Sequence, residues 1–186
     1  MKTLKKTTLA FLFVLTIYAC NQHNEKLNDA TVPADTALIP NNSDELLVDK
    51  NFFEEAMQGS MVEIELGNLA MKNAKNKNVK DYGEMMVIHH TKIYQELKVY
   101  FSSKNEEIID SLLPENNVKY QSLLVLKGDM FDAAYLKMMK EDHQSAIELY
   151  NNMAERGFDP EVKKWAKTKI KTLEEHLIMA EELTAK

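Results

Sequence analysis

Five ionisable side chains occupy positions where a helical chain should bury apolar ones: Glu63, His90, Asp142, His143 and His176. Imidazole nitrogens and carboxylate oxygens brought together can do two things. Bonded to one another, they form a buried hydrogen-bond network that fixes packing register. Aimed at a common point, they offer ligands suited to zinc, copper, nickel or iron. Met86 precedes His90, Met139 precedes His143 and Met179 follows His176 at helical spacing, so each pair shares a face. Thioether with imidazole favours reduced copper, but methionine at this spacing is more often core filling. A di-iron site takes Glu-x-x-His from two helices, and here Val87, Lys140 and Leu173 stand three residues before His90, His143 and His176. Di-iron oxidase chemistry is therefore not expected. A Gly-x-Ser-x-Gly nucleophile motif is also absent, and the sequence singles out no catalytic residue.

Four amphipathic helices must carry these residues. From Asp49 the small residues Ala56, Gly59, Ser60, Gly67, Ala70 and Ala74 form a stripe that includes Glu63 and lets another helix approach closely, whereas Glu65 falls off it. After the polar KNKN turn, Val79, Tyr82, Gly83, Met86, His90, Ile93, Leu97 and Phe101 share one face. His89 projects about 80° away, at a helix-helix edge. Residues 103–129 read as a long connection broken by Pro114, with a short helix in the run from Tyr120. The third long helix turns Phe131, Tyr135, Met139, Asp142, Leu149, Tyr150 and Met153 inward, with Asp142 nearly central and His143 to one side. Gly157 is expected to close it in a left-handed conformation. Asp159 and Pro160 start the last helix, whose inward face holds Val162, Ala166, Ile170, Leu173, His176 and Ala180. At about 1.5 Å per residue from the turns, Glu63 is level with His90, and His143 lies within about one turn of His176. The pattern predicts an all-α, ferritin-like four-helix bundle over residues 49–184, with a long second-to-third helix connection containing a short helix.

The start of the chain has another purpose. Lys2, Lys5 and Lys6 precede a short apolar run, Leu9 to Ile17, so residues 1–19 read as an export signal and not as a membrane span. It ends in Ile17-Tyr18-Ala19-Cys20, which resembles the lipobox of bacterial lipoproteins. That resemblance implies lipidation of Cys20, the only cysteine, and Asn21 after it favours the outer membrane. Residues 20–48 then read as the lipidated cysteine and a disordered tether, with His23 solvated. The formal charge is −6 over all 186 residues, and loss of three lysines with the signal makes the mature chain more acidic. A nucleic-acid partner is excluded on that balance, and membrane association rests on the lipid anchor.

The segments AMQGSMVEIELGNLAMKNA, MMVIHH, FDAAYLKMMKEDHQSAI and DPEVKKWAKTKIKTLEEHLIMAEEL resemble, in order and spacing, a bacterial outer-membrane-protein family of ferritin-like bundles, domain of unknown function four-one-four-two. The resemblance covers about residues 49–184 and implies that Glu63, His90, Asp142, His143 and His176 match the family's pattern. One departure is His89, where the family usually carries Asp. The expectation is an exported, lipid-anchored bundle on the periplasmic side of the outer membrane, its polar layer serving mainly as a structural network. The first alternative is a periplasmic copper-, zinc- or iron-binding protein. A second is an envelope interaction or stress-response module with an unidentified protein partner.

Overall fold

The computed structural model describes residues 42–103, 108 and 110–185, and among them every regular element is a helix. These are α1 (Asn42–Asn73), α2 (Lys77–Ser103), α3 (Pro114–Leu124), α4 (Asp129–Arg156) and α5 (Pro160–Thr184). The expected signal segment, Cys20 and residues 20–41 of the tether lie outside the described residues. The rest of the tether is corrected, because α1 begins at Asn42 and not at Asp49. Neither Pro nor Gly interrupts the chain between Asn42 and Gly59, so a helix once nucleated extends cheaply. Leu47 and Val48 remain exposed, which explains why no apolar period marks this turn.

α1 and α2 form one hairpin and α4 and α5 the other, with α1 also against α3 and α4, and α2 against α5. The crossover from α2 to α4 carries α3, as a ferritin-like connection requires. Pro114 opens α3 where the sequence pattern had it as a break. It occupies the first helical turn, where its missing N–H costs nothing. Gln58 of α1 holds this crossover: its amide nitrogen donates to the Ser111 carbonyl at 3.0 Å, and its oxygen accepts from Leu113 N at 2.9 Å.

The small stripe of α1 works as a contact where Gly67 meets Gly83 of α2. A Cβ on Gly67 would stand 2.6 Å from the Gly83 carbonyl oxygen. The buried face of α2 contains the eight residues that the spacing put there. In α4 the face is turned. Asp132, Leu136 and His143 are buried, while Asp142 is only half-buried, so the expected order of Asp142 and His143 is reversed. With Asp132 and Leu136 on the buried arc, His143 falls nearer its centre and Asp142 toward the α3 side, where the Lys119 ammonium lies 2.5 Å from Asp142 Oδ1.

The turns are held across the bundle. Asp132 of α4 accepts from Lys75 N at 3.0 Å and Asn76 N at 2.9 Å, closing the α1–α2 turn. Asp49 of α1 accepts from Phe158 N at 3.0 Å and Asp159 N at 2.8 Å, closing the α4–α5 turn. Asp159 also caps α5, accepting from Glu161 N at 2.9 Å with Pro160 next to it, as expected. Gly157 departs from expectation. Its φ of −58° is not left-handed, and glycine is needed because a Cβ would stand 2.7 Å from the Met153 carbonyl oxygen.

Two apolar cores fill the bundle. One holds Leu66, Leu69, Tyr82, Met86, Leu123, Phe131, Tyr135 and Met139, and the other Phe52, Phe53, Ile93, Leu97, Phe101, Tyr150, Met153 and Leu173. Along α2, α4 and α5 the histidines fall at the junction between them. Glu63 falls near the same junction on α1.

Candidate metal centre

His90, His143 and His176 come from α2, α4 and α5 and are 5%, 1% and 1% exposed. One ring nitrogen of each lies within 4.8 Å of the others. Of the five residues singled out by spacing, these three form the tightest group. Glu63 is 5% exposed and lines the same cavity as His90, His143 and Asp142.

Hydrogen bonds fix part of the proton arrangement. His143 Nδ1 lies 2.8 Å from the Met139 carbonyl oxygen. A carbonyl only accepts, so Nδ1 carries the His143 proton and Nε2 presents a lone pair. That Nε2 lies 3.1 Å from His176 Nδ1, and His176 Nε2 lies 2.7 Å from His89 Nδ1. For neutral rings the direction is forced: His176 donates to His143, and His89 donates to His176. His90 differs, since neither of its nitrogens has a hydrogen-bond partner among the described residues. Its ring stands edge-on to His143 at 5.6 Å between centroids.

Burial controls the charge states. It lowers His90 well below the ordinary histidine range, and the neighbouring His143, His176 and His89 add to that effect. It also lowers His143, and it brings His176 down to about 3, with His143 and His89 contributing. Glu63 moves the other way, raised by burial and then by the charge of Asp142. The site therefore presents neutral imidazoles, the form in which histidine binds metal.

The expected network forms in part: the chain from Met139 through His143 and His176 to His89 is intact, while Glu63 Oε2, both His90 nitrogens and Asp142 Oδ2 are buried without a hydrogen-bond partner among the described residues. His89 was missed because its projection puts it at an edge. Its ring stacks on His176 at 5.0 Å between centroids, and a half-buried edge position was sufficient for that contact. The three methionines have simpler surroundings. Met86 and Met139 pack in an apolar core, and Met179 is exposed.

The donor set fits a borderline transition metal. Two ligands about 2.0–2.1 Å from a tetrahedral ion stand about 3.3 Å apart, close to the 3.1 Å between His143 Nε2 and His176 Nδ1.

A family model described as a domain of unknown function, DUF4142, matches residues 35–183. The chain belongs to the DUF4142 family. Two solved structures share its fold. A DUF305 protein described as secreted, from Streptomyces coelicolor, is 14% identical with a TM-score of 0.65 over 74% of this chain and 92% of its own. A DUF305 fragment from Deinococcus radiodurans is also 14% identical, with a TM-score of 0.65 over 73% of this chain and 93% of its own. No curated protein matches the sequence. For this DUF4142 chain, as for its structural neighbours, the likeness extends to the helical fold. Among the described residues, no helix is long and apolar enough to cross a membrane.

Proposed function

We propose that this DUF4142 protein is an exported metal-binding protein that holds one transition-metal ion on His90, His143 and His176. The observation that carries the proposal is the convergence of three buried neutral imidazoles within 4.8 Å, one of them, His90, with both nitrogens unpartnered. An unsatisfied buried donor or acceptor costs about 1–3 kcal/mol, and a metal ion on one His90 nitrogen would offset that cost there. Imidazole ligands suit zinc, copper, nickel and iron. An ion would replace the His143–His176 hydrogen bond. His176 would then carry its proton on Nε2 and donate it to His89 Nδ1, with the His89 proton held on its own Nε2, leaving His89 to orient the ligand from outside the coordination sphere. The export signal, the lipobox-like Cys20 and the secreted description of one structural neighbour support a cell-envelope location. Within it we place the bundle on a lipid anchor at the periplasmic face of the outer membrane.

Elemental analysis of the purified protein after incubation with zinc or copper tests the site. Melting curves with and without the metal give a second readout. The expected result is one ion per chain and a stabilisation near 2.7 kcal/mol at a free metal concentration about 100 times Kd, with both lost in His143→Ala. Absence of binding by the native protein with either metal would overturn the reading.

A further inference from the structure

A cavity of about 500 Å³ opens between α1 and α4, beside the histidines, with the start of α3 at its edge. It is far too large for an ion alone, since a water molecule takes about 30 Å³. Sites for small organic molecules span about 300–1,000 Å³. Met57, Phe101, Leu149 and Tyr150 give it apolar walls. Among the described residues, five carboxyl side chains line it against one lysine: Glu54, Glu55 and Glu115 are the more exposed, and Glu63 and Asp142 the deeper. That lysine, Lys119, is already bound to Asp142 Oδ1. Glu63 Oε2 and Asp142 Oδ2 remain without partners, and Glu63 is buried almost completely, at 5% exposure. Two unpartnered carboxyl oxygens at the end of an apolar cleft with an acidic mouth suit a ligand that brings its own N–H donors and its own positive charge, which favours the ionised form of Glu63 that burial disfavours.

We propose that this cleft binds a small organic ammonium ion, its apolar body against Met57, Phe101, Leu149 and Tyr150 and its head on the free oxygens of Glu63 and Asp142. The histidine site is a neighbour of this cleft and is not required by it. His90 and His143 of the metal group line the cavity as well, but His176 does not, and Glu63 lines the cavity without belonging to the metal group. The two sites are therefore separable by mutation.

Isothermal titration of the purified, metal-free protein with hexylammonium, hexanol and hexanoate tests the charge preference on a constant chain. Hexylammonium is expected to bind at least about tenfold more tightly than the other two, the effect of one hydrogen bond to a charged group. Glu63→Gln should lose about that factor for the amine and keep metal binding. His176→Ala should do the reverse. Lys119→Met removes the competing cation from Asp142 and should tighten amine binding, a gain that misfolding cannot mimic. Equal affinity for the three probes, or no binding of hexylammonium to the native protein, would overturn the proposal. So would amine binding that survives Glu63→Gln undiminished while Lys119→Met has no effect.

Discussion

Gly59 and Gly67 lie about two turns apart on the same small-residue stripe of α1, and they meet opposite surroundings. A Cβ on Gly67 would press against the Gly83 backbone at 2.6 Å and Val87 Cγ2 at 2.8 Å, while a Cβ on Gly59 would meet nothing within 4 Å. At Gly67 small size serves contact, letting two helices touch backbone to backbone. At Gly59 it leaves room, since this residue lines the cavity. One sequence pattern thus serves a closed half of the bundle and an open one, and the histidine layer lies near the boundary between them.

Acid should expose that boundary most strongly. His90, His143 and His176 are neutral in the folded chain and titrate normally once unfolded. The unfolded state therefore takes up the extra protons. Their stabilisation is complete above about pH 6.5 and is lost as pH falls toward the folded values, at about 1.4 kcal/mol per pH unit for each ring held neutral. Glu63 works in the opposite sense. Its carboxyl is raised, so its contribution is full below the usual carboxylate range and declines as pH rises above it. Melting temperatures of the metal-free protein should fall steeply between pH 6.5 and pH 4, and less steeply in a His176→Phe variant.

Gly67→Leu attacks the closed half. With backbone on the other side and no flexible tip to yield, it should cost about 3 kcal/mol or more by denaturant titration. Asp132→Ala strips two backbone donors of their acceptor at the α1–α2 turn. It should cost about 2 kcal/mol in the same titration. Gly59→Ala, at the open half, should stabilise by about 0.5–1 kcal/mol, because the helix gains a better former and nothing is displaced. A loss there comparable to that of Gly67→Ala would remove the distinction between the halves.

The sequence pattern reached far into the fold because a helix reports its buried face locally. The face of α2 was legible residue by residue, as were the cap at Asp159 and the crossover between hairpins. It failed where a distant group decided the outcome. Asp142 sits nearer the centre of the arc that the apolar spacing marks, yet burial of Asp132 and Leu136 turns that arc toward His143, and Asp142 pairs with Lys119, 23 positions away in sequence. His89 has no local sign of its contact with His176, which lies 87 positions away. The cavity was not visible at all, because a stripe of small residues reads the same whether a helix fills the space or leaves it open.

The reciprocal clasps bear on how this chain comes apart. Each hairpin has its turn closed by an aspartate from the other, Asp132 on Lys75 and Asn76, and Asp49 on Phe158 and Asp159. Neither hairpin can finish its own turn before the two have docked. The two halves should therefore unfold as one cooperative unit, with helical signal and Trp165 fluorescence lost at the same denaturant concentration.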